Sequence, residues 1–76
     1  MITVKLYGLL RIESGIRGKQ LEAATVKEVL QQLAACGIDS KSLKGCMILV
    51  NGKNANQRSK LADGDTVVLM TPVAGG

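Results

Sequence analysis

The sequence has no histidine, tryptophan or phenylalanine, and only one proline, one tyrosine and two cysteines among its 76 residues. Each shortage closes a route to function. Without histidine, no Cys-His or Ser-His pair can activate a nucleophile, and zinc sites of Cys-His spacing are excluded with it. Cys36 and Cys46 read as reduced core thiols, and a single disulfide is the alternative the residues leave open. Tyr7 is the only aromatic, so no surface can stack a series of bases. The Lys and Arg residues number 10, the net charge is +4, and the cations are scattered along the chain. A generally solvated basic surface is expected, with no nucleic-acid partner.

Long apolar runs are missing too. The stretch from Cys46 to Val50 is far below the roughly 20 residues of a membrane-spanning helix, so no membrane association is expected. The N-terminal residues pass directly into an alternating segment, without the charged, apolar and cleavage regions of a secretory signal. The cytoplasm is the expected location.

What is present suits one small folded unit: 46% hydrophobic and 21% charged residues are too apolar for disorder. Ile2, Val4 and Leu6 alternate with Thr3, Lys5 and Tyr7, the period-two pattern of a strand with one buried face. A glycine-containing connection over residues 8–18 leads to a second strand over residues 19–23, paired with the first as a hairpin. Thr25 is placed to cap a helix that starts at Val26, with Glu28 completing a capping box. Val26, Val29, Leu30, Leu33 and Ala34 then form one apolar stripe, Lys27, Gln31 and Gln32 face water, and Gly37 ends the helix ahead of Ile38.

A linking segment over residues 39–45 precedes an apolar, branched run over residues 46–50, which reads as a central strand. Asn51-Gly52 makes a tight turn into a brief strand at residues 53–55, Asp63-Gly64-Asp65 makes another, and residues 66–70 form the last strand. One helix covers only one face of a small sheet and leaves the other open. The expected fold is α+β, a ubiquitin-like β-grasp: a mixed sheet with one main helix packed on one face, spanning residues 1–71 and followed by a flexible tail at 72–76.

No side-chain constellation for catalysis is present, neither paired carboxylates with a pocket nor a phosphate-cradling glycine motif. The chain is therefore not expected to be an enzyme by itself. What remains is the end of the chain, Thr71-Pro72-Val73-Ala74-Gly75-Gly76. Its only charge is the α-carboxylate, and fully extended it reaches about 20 Å. Residues without bulk let such a carboxylate thread a narrow channel into another protein's active site.

These motifs resemble those of a known family. Val50-Asn51-Gly52, Leu61-Ala62-Asp63-Gly64-Asp65-Thr66-Val67 and Pro72-Val73-Ala74-Gly75-Gly76 are similar, in the same order, to the VNG, L-x-DGD-x-V and P-V-x-GG of the MoaD/ThiS ubiquitin-like sulfur carriers. The segment from Val4 to Arg11, with Gly15 after it, is most like the MoaD-type small subunit of molybdopterin synthase. Thiamine-pathway carriers usually have an Asn-Gly turn there. Thr71 stands where the molybdopterin subunits commonly carry a second proline.

The resemblance implies a mechanism. A ubiquitin-activating-like adenylyltransferase, using ATP and magnesium, adenylates the Gly76 carboxylate, Gly75 giving clearance in the channel. A sulfur donor such as a cysteine desulfurase or rhodanese displaces AMP, and the thiocarboxylate supplies sulfur to a pterin precursor on the large catalytic subunit of molybdopterin synthase. No cofactor or metal is bound by this chain. Pro72, Val73 and Ala74 would contact the partner, and strand alternation adds Leu49, Val68 and Met70 as an apolar docking patch on the open sheet face. The alternatives are a carrier for thiamine thiazole or another pathway, such as a tungsten-dependent one, and a non-covalent β-grasp binding module with no tail chemistry.

Overall fold

The computed structural model describes residues 1–71. Its elements in chain order are β1 (Ile2–Gly8), α1 (Leu9–Ser14), β2 (Gly18–Leu21), α2 (Val26–Ala35), α3 (Ser40–Lys44), β3 (Met47–Val50), β4 (Lys53–Asn54) and β5 (Thr66–Thr71). The strands form one mixed sheet in the order β2-β1-β5-β3-β4. β1 is antiparallel to β2 and parallel to β5, and β3 is antiparallel to both β5 and β4. This is the ubiquitin-like β-grasp.

Period-two alternation puts Ile2, Val4 and Leu6 of β1 and Val67 and Leu69 of β5 under α2, all at 2% exposure or less. From α2 the same core receives Val26, Val29, Leu30 and Leu33. Fully burying one such side chain contributes about 1.5–3 kcal/mol, so truncating Leu33 or Leu69 to alanine would cost about 2–5 kcal/mol. Ala34, expected in the stripe, is exposed. It lies at the margin of the buried arc, where a methyl group has nothing left to reach.

Both ends of α2 are satisfied locally. Thr25 Oγ1 accepts from the Glu28 N–H at 3.3 Å, and the Glu28 carboxylate accepts from the Ala24 N–H at 3.3 Å, one residue earlier than a regular capping box. The N–H groups of Val26 and Lys27 donate to the carbonyls of Ser59 and Gln57, so the first turn has these donors committed to the 55–61 loop. At the other end, Ile38 N–H donates to Leu33 O and Gly37 N–H to Ala34 O, with Gly37 at φ 100°. That pair of bonds is the Schellman arrangement.

Three expectations are corrected. Residues 9–14 form α1 rather than loop, ended by Gly15 in the left-handed region at φ 71°. Residues 40–44 form α3, capped by Asp39, whose carboxylate accepts from the Lys41 N–H. The centre of the sheet is β5, while β3 is flanked on one side only by the two-residue β4. The apolar run at residues 46–50 therefore does not mark a strand buried on both faces. Met47 is 54% exposed and Leu49 is half-buried.

The two glycine turns meet in space. Asn51 Nδ2 donates to Asp65 Oδ1 at 3.0 Å, Asn51 Oδ1 accepts from the Thr66 N–H, and Asp65 Oδ2 accepts from the Ala62 N–H at 2.8 Å. Asn51 and Gly52, at φ 50° and 82°, make the turn that holds Asn51 in place. This clasp lies at the start of β5, about 17 Å from its other end at Thr71.

Candidate functional site

The site is built where β1 and β5 end side by side. Gly8 pairs with Thr71 in the parallel register, and α1 begins at the next residue. Thr71 is 7% exposed, and its Oγ1 accepts from the Leu10 N–H at 3.1 Å. That N–H belongs to the first turn of α1, where the helix itself offers no acceptor. Gly8 adopts φ 68° and ψ −142°, and a Cβ there would fall on the Thr71 carbonyl oxygen. The chain thus approaches residue 72 with its last described residue held by a backbone contact and a buried hydrogen bond. Gly76, Gly75, Pro72, Val73 and Ala74, named from the sequence, lie outside the described residues.

The face of the sheet away from α2 carries the rest. In β5, Val68 is half-buried and Met70 is 38% exposed. Register places Leu49 opposite Val68 and Met47 opposite Met70 across the β3–β5 pair. On the other side Tyr7, 40% exposed, stands beside Met70. The structure therefore brings Leu49, Val68 and Met70 together and adds Met47 and Tyr7, which the sequence reading missed. Their outward alternation was visible in sequence. The pairing of β1 with β5, between residues some 60 positions apart, was not.

The cysteines sit elsewhere. Both are free, but Cys36 is exposed at the end of α2, where its Sγ accepts from Lys19 Nζ at 2.9 Å. It is not a core thiol, because the helix ends before its side chain can turn inward. Cys46 is half-buried, its S–H donates to Leu43 O at 2.9 Å, and burial raises its pKa. Among the described residues no group of three or more acidic or cysteine side chains could hold a metal ion, and no helix is long and apolar enough to cross a membrane.

The ion pair between the Met1 ammonium and Asp63 is the only one among the described residues. It lies with Glu22 at the start of β1, remote from Thr71. At the opposite end, Lys5, Arg11, Arg17 and Lys19 line an open depression along β1 and β2, with Tyr7 in its wall.

Comparison with known proteins gives one family and a set of folds. A model described as the ThiS family matches residues 4–76. No curated protein matches the chain at comparable stringency. Among solved structures, SAMP1 from Haloferax volcanii is similar at 26% identity and a TM-score of 0.85, with 99% of this chain and 98% of that one covered. A chain of the BexX/CysO complex from Amycolatopsis orientalis matches at 21% identity and a TM-score of 0.77, with full coverage of both. A chain of the complex of subunits 1 and 2 of molybdopterin-converting factor from Helicobacter pylori matches at 24% identity and 0.68, covering 99% and 97%. The last two similarities bear on the fold alone.

Proposed function

Because the chain belongs to the ThiS family of ubiquitin-like proteins, we propose that it is a sulfur carrier whose Gly76 carboxylate is adenylated and then converted to a thiocarboxylate. The observation that carries this reading is the extent of the family match, which runs through Gly75-Gly76 to residue 76. The sequence has no histidine, so no imidazole base stands in competition with the terminal carboxylate.

The chemistry assigns each side its share. Oxide is a poor leaving group, so the carboxylate must first attack the α-phosphate of ATP, forming acyl-adenylate and releasing pyrophosphate. A sulfur nucleophile then adds to the acyl carbon and expels AMP. Phosphate recognition and magnesium belong to an adenylyltransferase partner, which stabilises the charge developing in both steps. A cysteine desulfurase or rhodanese is the sulfur donor in this reading: its persulfide is the nucleophile, and a thiol of the activating partner then cleaves the resulting acyl disulfide, leaving the thiocarboxylate on the carrier and a disulfide behind. The carrier contributes a carboxylate on a narrow tail and an apolar sheet face, with Leu49, Val68 and Met70, on which the partner docks while Pro72, Val73 and Ala74 contact it and the two glycines enter its channel.

The acceptor of the sulfur is a pterin precursor on the large subunit of molybdopterin synthase. Residues 9–14 support this branch: they form α1, not a tight Asn-Gly turn.

The test is intact-mass analysis of the chain incubated with ATP, magnesium, a candidate activating enzyme and a sulfur donor. Replacement of one C-terminal oxygen by sulfur, abolished by deletion of Gly75-Gly76, is the expected result. A chain whose partner binding and cellular role survive that deletion would instead be a non-covalent binding module.

A further inference from the structure

We infer that the basic depression along β1 and β2 is a docking surface for an acidic segment of a partner protein. Cations that are scattered in sequence are gathered there by the fold. Register sets Lys5 beside Gly18 on the open face, Arg17 precedes β2, and Arg11 reaches it from α1. With Lys19 they line one depression whose lining includes no carboxylate.

The acidic residues are all committed elsewhere. Asp63 pairs with the Met1 ammonium and Asp65 with Asn51. Glu28 and Asp39 cap α2 and α3, Glu13 accepts from Ser42, and Glu22 lies near Met1. No Lys or Arg side chain is ion-paired to a carboxylate among the described residues. The depression is thus a locally positive surface along β1 and β2. Such a field steers an oppositely charged surface and raises association rates by about 10–1,000-fold, an effect that falls with salt.

A lysine on an edge strand also blunts self-pairing, and β2 is an edge strand. That role accounts for Lys19 alone. Its ammonium is engaged by Cys36, which leaves Lys5, Arg11 and Arg17 as the outward cations. The occupant is argued from the spread of charge. A phosphate needs donors converging on one point, but the Leu10 N–H in the first turn of α1 is held by Thr71. Single-stranded nucleic acid needs several stacking rings, and only Tyr7 is available. Lys5 on β1, Arg11 on α1 and Arg17 before β2 stand on separate elements around the depression, and cations set apart in this way match carboxylates spaced along a peptide.

The inference deepens the carrier reading by naming the chemistry of the partner's face, and its test involves no thiolation, so the two fail separately. The isotope-labelled full chain is titrated with a glutamate-rich peptide, its glutamine counterpart, tripolyphosphate and oligouridylate, and amide shifts are followed by NMR. The glutamate peptide should move Lys5, Tyr7, Arg17 and Gly18 and leave Lys27, Lys44 and Lys53 in place. The double substitution Lys5→Gln with Arg17→Gln should weaken it about tenfold, whereas Lys53→Gln should not. Unchanged spectra, shifts spread over all basic residues, or tighter binding of tripolyphosphate or RNA at the depression would each overturn the inference.

Discussion

The Leu10 N–H donates to Thr71 Oγ1 across a separation of 61 residues, in a buried position. One side chain thereby completes the first turn of α1 and fixes the end of β5. Thr71, the residue before Pro72, therefore has a partner within the fold.

Thr71→Val keeps the shape but leaves a buried N–H unpaired, at a cost of about 1–3 kcal/mol. Thr71→Ser should recover most of that loss. Urea denaturation measures both, and a valine variant as stable as the serine variant would show that the hydrogen bond contributes nothing.

Gly8 and Gly15 differ in what surrounds them. Both have positive φ, but an added Cβ at Gly15 meets open space and at Gly8 meets the Thr71 carbonyl. Gly15→Ala should cost about 1–2 kcal/mol of left-handed strain. Gly8→Ala must also push β1 from β5 and should cost clearly more. Equal thermal shifts would contradict the close approach.

Val68→Asp tests the apolar face. Val68 is half-buried and stands beside Lys5, so the new carboxylate has a cation at hand and the fold should persist by circular dichroism. Affinity for the activating enzyme that thiolates the wild-type chain should fall at least about tenfold, as for a central interface residue. Retained affinity would remove this face from the docking surface.

Asp65 gives a pH signature. Donors from the Ala62 N–H and Asn51 hold its carboxyl below the ordinary value of 3.8, with a small opposing effect of desolvation. A lowered folded-state pKa means the contribution is complete above the unfolded value and is lost as pH falls through the folded one. Stability should therefore decline below about pH 4. Asp65→Asn should flatten that decline when denaturation midpoints are followed across acidic pH. An unchanged slope would show that the Asn51 clasp does not depend on charge.

The sequence by itself determined the elements whose signals are local. Thr25 and Gly37 bounded α2 because capping uses neighbouring residues. Asn51-Gly52 and Asp63-Gly64-Asp65 marked turns because positive φ favours those residue types. Alternation set the inward faces of β1 and β5. The tail stands out in sequence because its only charge is its own carboxylate, and it lies outside the described residues.

Tertiary structure decided what depends on distant partners. α1 and α3 are too short to nucleate alone. α1 is completed by Thr71, and α3 by the burial of Leu43. Tyr7 and Met47 join Val68 and Met70 only because β5 lies between β1 and β3. The basic depression exists for the same reason: it depends on register between β1 and β2 and on the placement of α1, so cations scattered along the chain come to share one surface.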